Sequence, residues 1–424
     1  MVIGMFRKWW FKWLVVGILI RLILMPITVH PDLWVFTSAG YFSAYEGRLS
    51  IYEDLANLST NEPNHPLIKI AGNINDYFIY PPLAYFTFGT FQTFLKPLLD
   101  PNFIPQYWSN PDSVFTNPSL PWHLFLYKLP SLFIDIATAF LLAGLFEKQS
   151  RKKLAFIFWM FNPLTVYSTF MMGQFDIIPV LFTVFALALA KKKNYFWAIL
   201  SLGVAGSFKI YPLLLIPPIA FLSDKDLWSR LKYLVLGFLP FLITIASYIS
   251  SPAFRQMVLF SSKNQKMLFL GLPVSGAEVL YPFLIILFLI YFHSLYSKKT
   301  FELYEYFLII LLTMFSVSNY HPQWFLWITP FLIIYLIKYN FKYALLVVSL
   351  FGVWLVLTLL FESSLSYGLF NPIFPKLKDA KSFADVFISS DLLFKFKSII
   401  RSIFAAVSIY IFISINQKEG NYTS

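Results

Sequence analysis

The 424-residue chain has no cysteine, five histidines and few charges of either sign, with Asp, Glu, Lys and Arg making up 13% of it. Without cysteine there is no disulfide, no thiolate nucleophile and no cysteine-ligated metal, and the redox compartment stays open. The sequence contains neither a Walker A loop nor a glycine-rich dinucleotide fingerprint, which argues against a soluble nucleotide donor. His30 and Asp32 stand two apart, but no second H-x-x-x-H or D-x-D cluster joins them, so no metal site is expected. A soluble domain of this length would need a far more charged surface.

Hydrophobic residues dominate instead, at 58%, and the mean hydropathy is +0.66. Apolar runs near 20 residues recur, each long enough to cross a hydrocarbon core of roughly 30 Å as a helix. Lipid offers the backbone no hydrogen-bond partners, so the expected class is an all-α polytopic membrane protein. The net charge of +12 does not point to nucleic acid, because the Lys/Arg clusters sit between apolar runs, as the positive-inside rule requires. Clusters at 7–12, 148–153, 191–193, 225–232, 298–299, 338–342 and 418 are expected to be cytoplasmic. Threading between them predicts about twelve spans, at 9–29, 122–146, 154–172, 177–190, 195–208, 211–222, 232–250, 272–296, 301–318, 324–337, 342–361 and 392–415. Both termini then lie inside, and 1–424 forms one membrane domain without internal repeats.

The basic N-terminus lacks an A-x-A-type cleavage site, so an uncleaved first span is expected. The NYTS end carries no retrieval signal. With the lack of cysteine, this favours a bacterial or archaeal plasma membrane over the endoplasmic reticulum.

Two segments break the alternation. Residues 80–98, "YPPLAYFTFGTFQTFLKPL", would add a crossing and put the basic cluster at 151–153 outside, so they read as an aromatic juxtamembrane helix. Residues 30–121 then form one long external segment, a length more often functional than idle. Between Lys193 and Asp224 only about 30 residues are available, where two full crossings need about 40. A shallow hairpin with a broken tip at "GSFKIYP", 206–212, is predicted, and Lys209 sits on that tip.

Ionisable groups at membrane depth are functional candidates by default. Asp32, the first acid in the chain, follows the first span, and Arg21 shares nearly its helical face. "GQFD" puts Gln174 and Asp176 at an outer turn. Lys209 and Tyr211 mark the broken tip, Arg255, Lys263 and Lys266 lie in the 251–271 loop, and "NYHPQWFLW" supplies Asn319, His321, Gln323 and Trp324. Asp76 and Tyr80 fall in "NDYFIYPP". Lys and Arg suit phosphate oxygens, while Asp, Asn and Gln suit sugar hydroxyls. Tyr80, Trp34, Trp108 and Trp324 are candidates to stack on sugar faces.

Each residue also has a plainer role. Pro31 and Asp32 can end a helix, Asp176 can cap one, and Arg21 and Lys209 can snorkel. Arg255, Lys263 and Lys266 can meet anionic lipid. His321 can be a turn residue, and Tyr80 can precede a helix started by Pro81 and Pro82. It is their joint placement at one face that argues for function.

An acid at the outer end of one span, a long first external segment containing Y-P-P-L, and many later spans resemble the GT-C glycosyltransferases. "GQFDIIPVLFTVFALAL", "SFKIYPLLLIPP" and "NYHPQWFLWITP" look most similar to the polyprenyl-phosphate-mannose-dependent mannosyltransferases. That group includes the enzymes adding the second mannose of GPI anchors and the mannose of phosphatidylinositol mannosides. The likeness runs from about Asp32 to Trp327.

It implies a GT-C-like bundle of about twelve helices and inverting transfer of a hexose, mannose by resemblance, on the non-cytoplasmic face. The donor would be a polyprenyl-phosphate sugar, the acceptor a lipid or glycan hydroxyl, the surroundings membrane lipids, and the protein a monomer without a bound cofactor. By position Asp32 matches the family's catalytic acid, although relatives often carry an acidic pair where this chain has HPD. Asp76 and Asp176 therefore stand as alternative or second acids. In that chemistry one carboxylate takes the acceptor proton, and Lys209 with Arg255 or Lys263 stabilises the departing phosphate. A secondary transporter or lipid flippase would also place charges in the membrane, but the break at 206–212 has no partner in the other half. A non-catalytic assembly subunit is the third class.

Overall fold

The computed structural model describes residues 8–417 except 225, 262, 299, 319 and 388. Arg7, Lys225, Lys299, Asn319 and Lys418 therefore lie outside the described residues. Helices dominate the described residues: α1 (Phe11–Leu24), α2 (Pro31–Ala44), α3 (Pro82–Leu95), α4 (Leu120–Gly144), α5 (Gln149–Met160), α6 (Ile177–Lys191) and α7 (Tyr195–Gly206) come first. Then follow α8 (Ile216–Ser223), α9 (Leu227–Ala246), α10 (Pro282–Tyr296), α11 (Leu303–Val317), α12 (Thr329–Lys338), α13 (Ala344–Leu359) and α14 (Ser390–Gln417).

Among the described residues, four helices are long and apolar enough to cross a membrane: Leu120–Gly144, Gln149–Met171, Leu227–Ala246 and Asp391–Gln417. The other expected spans fall on shorter helices, most of 10–17 residues. Apolar side chains also face outward, as Leu231, Val235, Leu239 and Leu242 do on α9 and Ile285, Phe288, Leu289 and Phe292 on α10. Such belts fit lipid contact.

The first expected span, 9–29, is shorter than read. Helix α1 has 14 residues, about 21 Å of rise, and turns at 25–27. Pro31 does not close this helix but opens the next one. It occupies the first turn of α2, where its missing N–H is no loss, and His30 caps the same end by accepting from Asp32 N at 3.1 Å. Asp32 thus sits in the first turn of α2, where the helix dipole favours an anion.

Residues 30–121 fold into a helical layer. Helix α3, at 14 residues, lies along α2 at glycine-mediated close approach, and Gln92 Nε2 reaches Thr37 O at 2.6 Å. Short helices at Ile51–Ala56, Leu58–Asn61, Leu67–Ile70 and Phe103–Ser109 complete the layer. The hairpin tip breaks where expected: α7 stops at Gly206, and Tyr211–Leu215 is a 3-10 turn leading into α8. Before α6, Val166–Met171 is a π-helix, followed by Gly173 at φ +80°.

The expected span 272–296 starts ten residues late. Leu272–Ser275 (β1) and Glu278–Leu280 (β2) pair antiparallel, Leu272 opposite Leu280. Gly271, Pro273 and Gly276 disfavour helix there, and Pro282 sets the first turn of α10.

In the core α6 packs on α4 and α7, α7 on α9, α4 on α5, and α14 covers α11 and α13. Inside the α1, α4 and α5 contact, Arg21 Nε meets Asp135 Oδ2 at 2.7 Å, and Trp159 Nε1 donates to Asp135 Oδ1 at 2.8 Å. Arg21 therefore does not share a face with Asp32, because the turn at 25–27 reorients the chain. Nor does it snorkel, being fully buried.

Candidate functional site

Chain segments far apart in sequence converge on one cavity of about 650 Å³. The start of α2 supplies His30 and Asp32, and the rest of the 30–121 segment supplies Asp76, Tyr77, Tyr80 and Tyr107. The broken tip adds Lys209 and Tyr211, the loop before the hairpin adds Lys263 and Lys266, and the α11–α12 connection adds His321, Gln323, Trp324 and Trp327.

Asp32 is one of three acids on the cavity wall, with Asp76 and Glu362. Its side chain is 35% exposed, and Oδ2 accepts from Gln174 Nε2 at 2.6 Å. His30 Nδ1 lies 3.6 Å from the same oxygen, too far for a hydrogen bond. Because Nδ1 already accepts from the Asp32 backbone N–H, the ring proton of that tautomer belongs on Nε2. One carboxylate oxygen is thus fixed by an amide. Nothing in the described residues hydrogen-bonds the other.

Asp176 has a different role from the second acid expected of it. It is fully buried, with Lys209 Nζ 2.8 Å from both Oδ1 and Oδ2, and Trp327 Nε1 donates to Oδ1 at 2.5 Å. Both oxygens are occupied, so Asp176 is neither an available base nor a side-chain cap of α6. It fixes Lys209, which also lies 4.7 Å from the Phe175 ring centroid and 5.3 Å from that of Tyr80. Lys209 lines the cavity from this held position. The phenol of Tyr80 is pushed well above its ordinary range by burial and by the charges of Asp32 and Asp176, so it stays protonated.

Lys263 donates through Nζ to the Asp76 carbonyl at 3.2 Å. The Asp76 carboxylate takes Asn73 Nδ2 at 3.1 Å. Lys266 reaches over the Trp324 ring, 5.6 Å from its centroid, and burial followed by the charges of Lys263 and Arg401 pushes its ammonium downward. Burial, then Lys266, lowers His321 to about 4, with Asp32 opposing. Gln323 is 5% exposed, and among the described residues its Oε1 is a buried acceptor without a donor. Tyr211 stacks on Trp327 at 4.0 Å and Trp327 on Trp324 at 5.1 Å, giving a three-ring stack against the wall.

Gln174 and Asp176 stand behind the cavity wall, not on it, and Arg255, Trp34 and Trp108 fall away from the site. Arg255 is absent from the cavity wall and donates to the Ile249 and Ser250 carbonyls at 2.9 and 2.8 Å, closing the end of the α9 region. Trp34 stacks on Tyr107 at 4.8 Å, and Trp108 packs on Phe42 while donating to Ser38 Oγ at 2.8 Å. Both tryptophans are core residues.

Glu362 on the cavity wall, Lys128 and Asp135 escaped the sequence reading. For the last two a signal existed, since Lys and Asp inside the apolar run 120–144 are costly at membrane depth. The chain matches no family model, no curated protein and no solved structure.

Proposed function

We propose that the protein is a GT-C-type inverting glycosyltransferase that moves a hexose from a polyprenyl-phosphate donor to an acceptor hydroxyl. The observation that carries this reading is Asp32: a partly exposed carboxylate, anchored through one oxygen by Gln174, on a cavity wall shared with Lys209, Lys263 and Lys266. A carboxylate in that position accepts the proton of the attacking hydroxyl. The acceptor oxygen bonds to the anomeric carbon as the carbon–oxygen bond to phosphate breaks, and the electron pair leaves with the phosphate. Cations on the wall stabilise the charge growing there. The aromatic stack beside the wall suits the face of a sugar.

The proposal includes about twelve spans, a cavity on the non-cytoplasmic face of a bacterial or archaeal plasma membrane, a monomer, and mannose as the hexose. The charge distribution supports the orientation. Purified protein in proteoliposomes with a labelled polyprenyl-phosphate hexose tests it. Wild type should yield a new glycolipid while Asp32→Asn retains donor binding and loses transfer. Undiminished turnover by Asp32→Asn would remove Asp32 as the base.

The buried Asp176–Lys209 pair at a helix break is the observation favouring a transporter or flippase. That reading predicts movement of labelled substrate across the bilayer with no covalent product.

A further inference from the structure

Lys128 is 1% exposed and lies in the middle of α4's apolar sequence. Among the described residues no carboxylate lies within ion-pair distance of it. Its ammonium meets three backbone carbonyls instead: Met25 O at 2.9 Å, Thr28 O at 2.5 Å and Met171 O at 3.4 Å. Burying a cation without a counter-charge is unfavourable, and an apolar side chain would serve packing alone better. The three carbonyls give the polar head its partners there.

Met25 and Thr28 belong to the turn that ends α1 and delivers His30 and Asp32. Met171 ends the π-helix that delivers Gly173 and Gln174. Helix ends leave carbonyls open, and one ammonium with three donors can close those of two segments together. Gly173 completes the junction. At φ +80° its missing Cβ leaves room for Lys128 Cε, which would stand 3.3 Å from it, and for Leu33 Cδ1, at 3.0 Å. A few residues further on, the two segments meet again where Gln174 Nε2 donates to Asp32 Oδ2 at 2.6 Å.

We propose that Lys128 is a positioning residue that ties the end of α1 to the Met171–Gln174 turn and so sets the contact between Gln174 and Asp32. It does not line the cavity and acts through the backbone. The consequence for catalysis rests on the glycosyltransferase reading, whereas the tie itself does not.

Hydrogen exchange followed by mass spectrometry on full-length protein in detergent tests the tie without any turnover. Lys128→Met should raise exchange at least several-fold in peptides covering 25–36 and 168–176 together, with peptides of α11 and α12 unchanged. Exchange that is unaltered, or raised in only one of the two segments, overturns the proposal. If Lys128→Met does not fold, Lys128→Gln, which keeps a shorter polar head, is read by the same criterion.

A double-mutant cycle on turnover then tests the consequence. If Lys128 acts by setting the Gln174 contact, Lys128→Met should lower kcat about tenfold in wild type but far less in Gln174→Ala. Equal losses in both backgrounds would assign Lys128 a general structural role and overturn its link to Asp32. Wild-type protein inactive on every polyprenyl-phosphate sugar would retire the enzyme reading, and the exchange result alone would then decide the tie.

Discussion

Gln174 Nε2 donates to Asp32 Oδ2 at 2.6 Å, joining residues 142 apart in sequence. A hydrogen bond to a charged group is worth about 1.5–3 kcal/mol. An amide that orients the carboxylate without altering its charge should act on kcat more than on donor affinity. Gln174→Ala is therefore expected to lower kcat about 10–100-fold with a KM within about threefold of wild type. Asp32→Asn should fall further, by the ~10²–10⁴ of a lost general base. Steady-state kinetics in proteoliposomes check both, and a Gln174→Ala effect confined to KM would show that the amide serves binding.

The Asp176–Lys209 pair gives a stability prediction that the sequence reading had assigned to catalysis. Both side chains are almost wholly buried, at 0% and 8% exposure. Asp176→Asn keeps an acceptor for Trp327 but strands a buried ammonium, which typically destabilises by ~3–5 kcal/mol. Adding Lys209→Met removes the stranded charge, so the double variant should melt well above Asp176→Asn alone. It should not regain transfer if Lys209 steadies the leaving phosphate. Thermal unfolding in detergent beside a turnover assay separates the two effects, and a double variant no more stable than the single one would dismiss the charge argument.

How far the site was legible depended on where each charge lies along its helix. Asp32, Gln174, Lys209, His321 and Gln323 stand at turns between apolar runs, so threading alone brought them to one face; the cavity unites Asp32, Lys209, His321 and Gln323, and Gln174 stands behind Asp32. The break at 206–212 was legible because too few residues separate two basic ends. Lys128 and Asp135 lie mid-helix, where a single charge barely alters a hydropathy average and its partner is visible only in three dimensions. Arg255 could not be told from Lys263 by loop position, because its backbone carbonyl partners depend on how the end of α9 turns. Trp34 and Trp108 show the same limit: an aromatic near the interface reads alike whether it faces a sugar or the core.

Helices α2 and α3 meet through glycine, and α2 carries Asp32. A Cβ built on Gly89 would stand 2.1 Å from Ser43 Oγ and 2.5 Å from Ser43 Cβ. Gly89→Ala must therefore push the helices apart, with an expected loss of ~1–3 kcal/mol. A Cβ at Gly144 would meet nothing within 4 Å, so Gly144→Ala should stay within about 0.5 kcal/mol of wild type. Combining Gly89→Ala with Ser43→Gly should recover much of the loss. Melting temperatures check all three, and a Gly89→Ala protein as stable as wild type would mean that the interface yields easily.

His321 supplies the pH test. Its ordinary value is 6.5, and in the folded protein it is lowered to about 4, chiefly by burial and then by the neighbouring charge of Lys266. Between those values the unfolded chain binds the proton and the folded protein does not, so stability rises with pH there. The contribution is present above pH 6.5, declines as pH falls and is gone near pH 4. The gap of about 2.5 between the two values bounds the loss at ~3 kcal/mol, and solvent reaching the partly exposed ring makes it smaller. Carboxylates titrate over the lower part of this range, so the informative quantity is the difference between wild type and His321→Gln. That difference should be flat above pH 7 and shrink steadily towards pH 4. A difference that does not change with pH would mean that the ring titrates alike in both states, and His321 would then be no more than a turn residue.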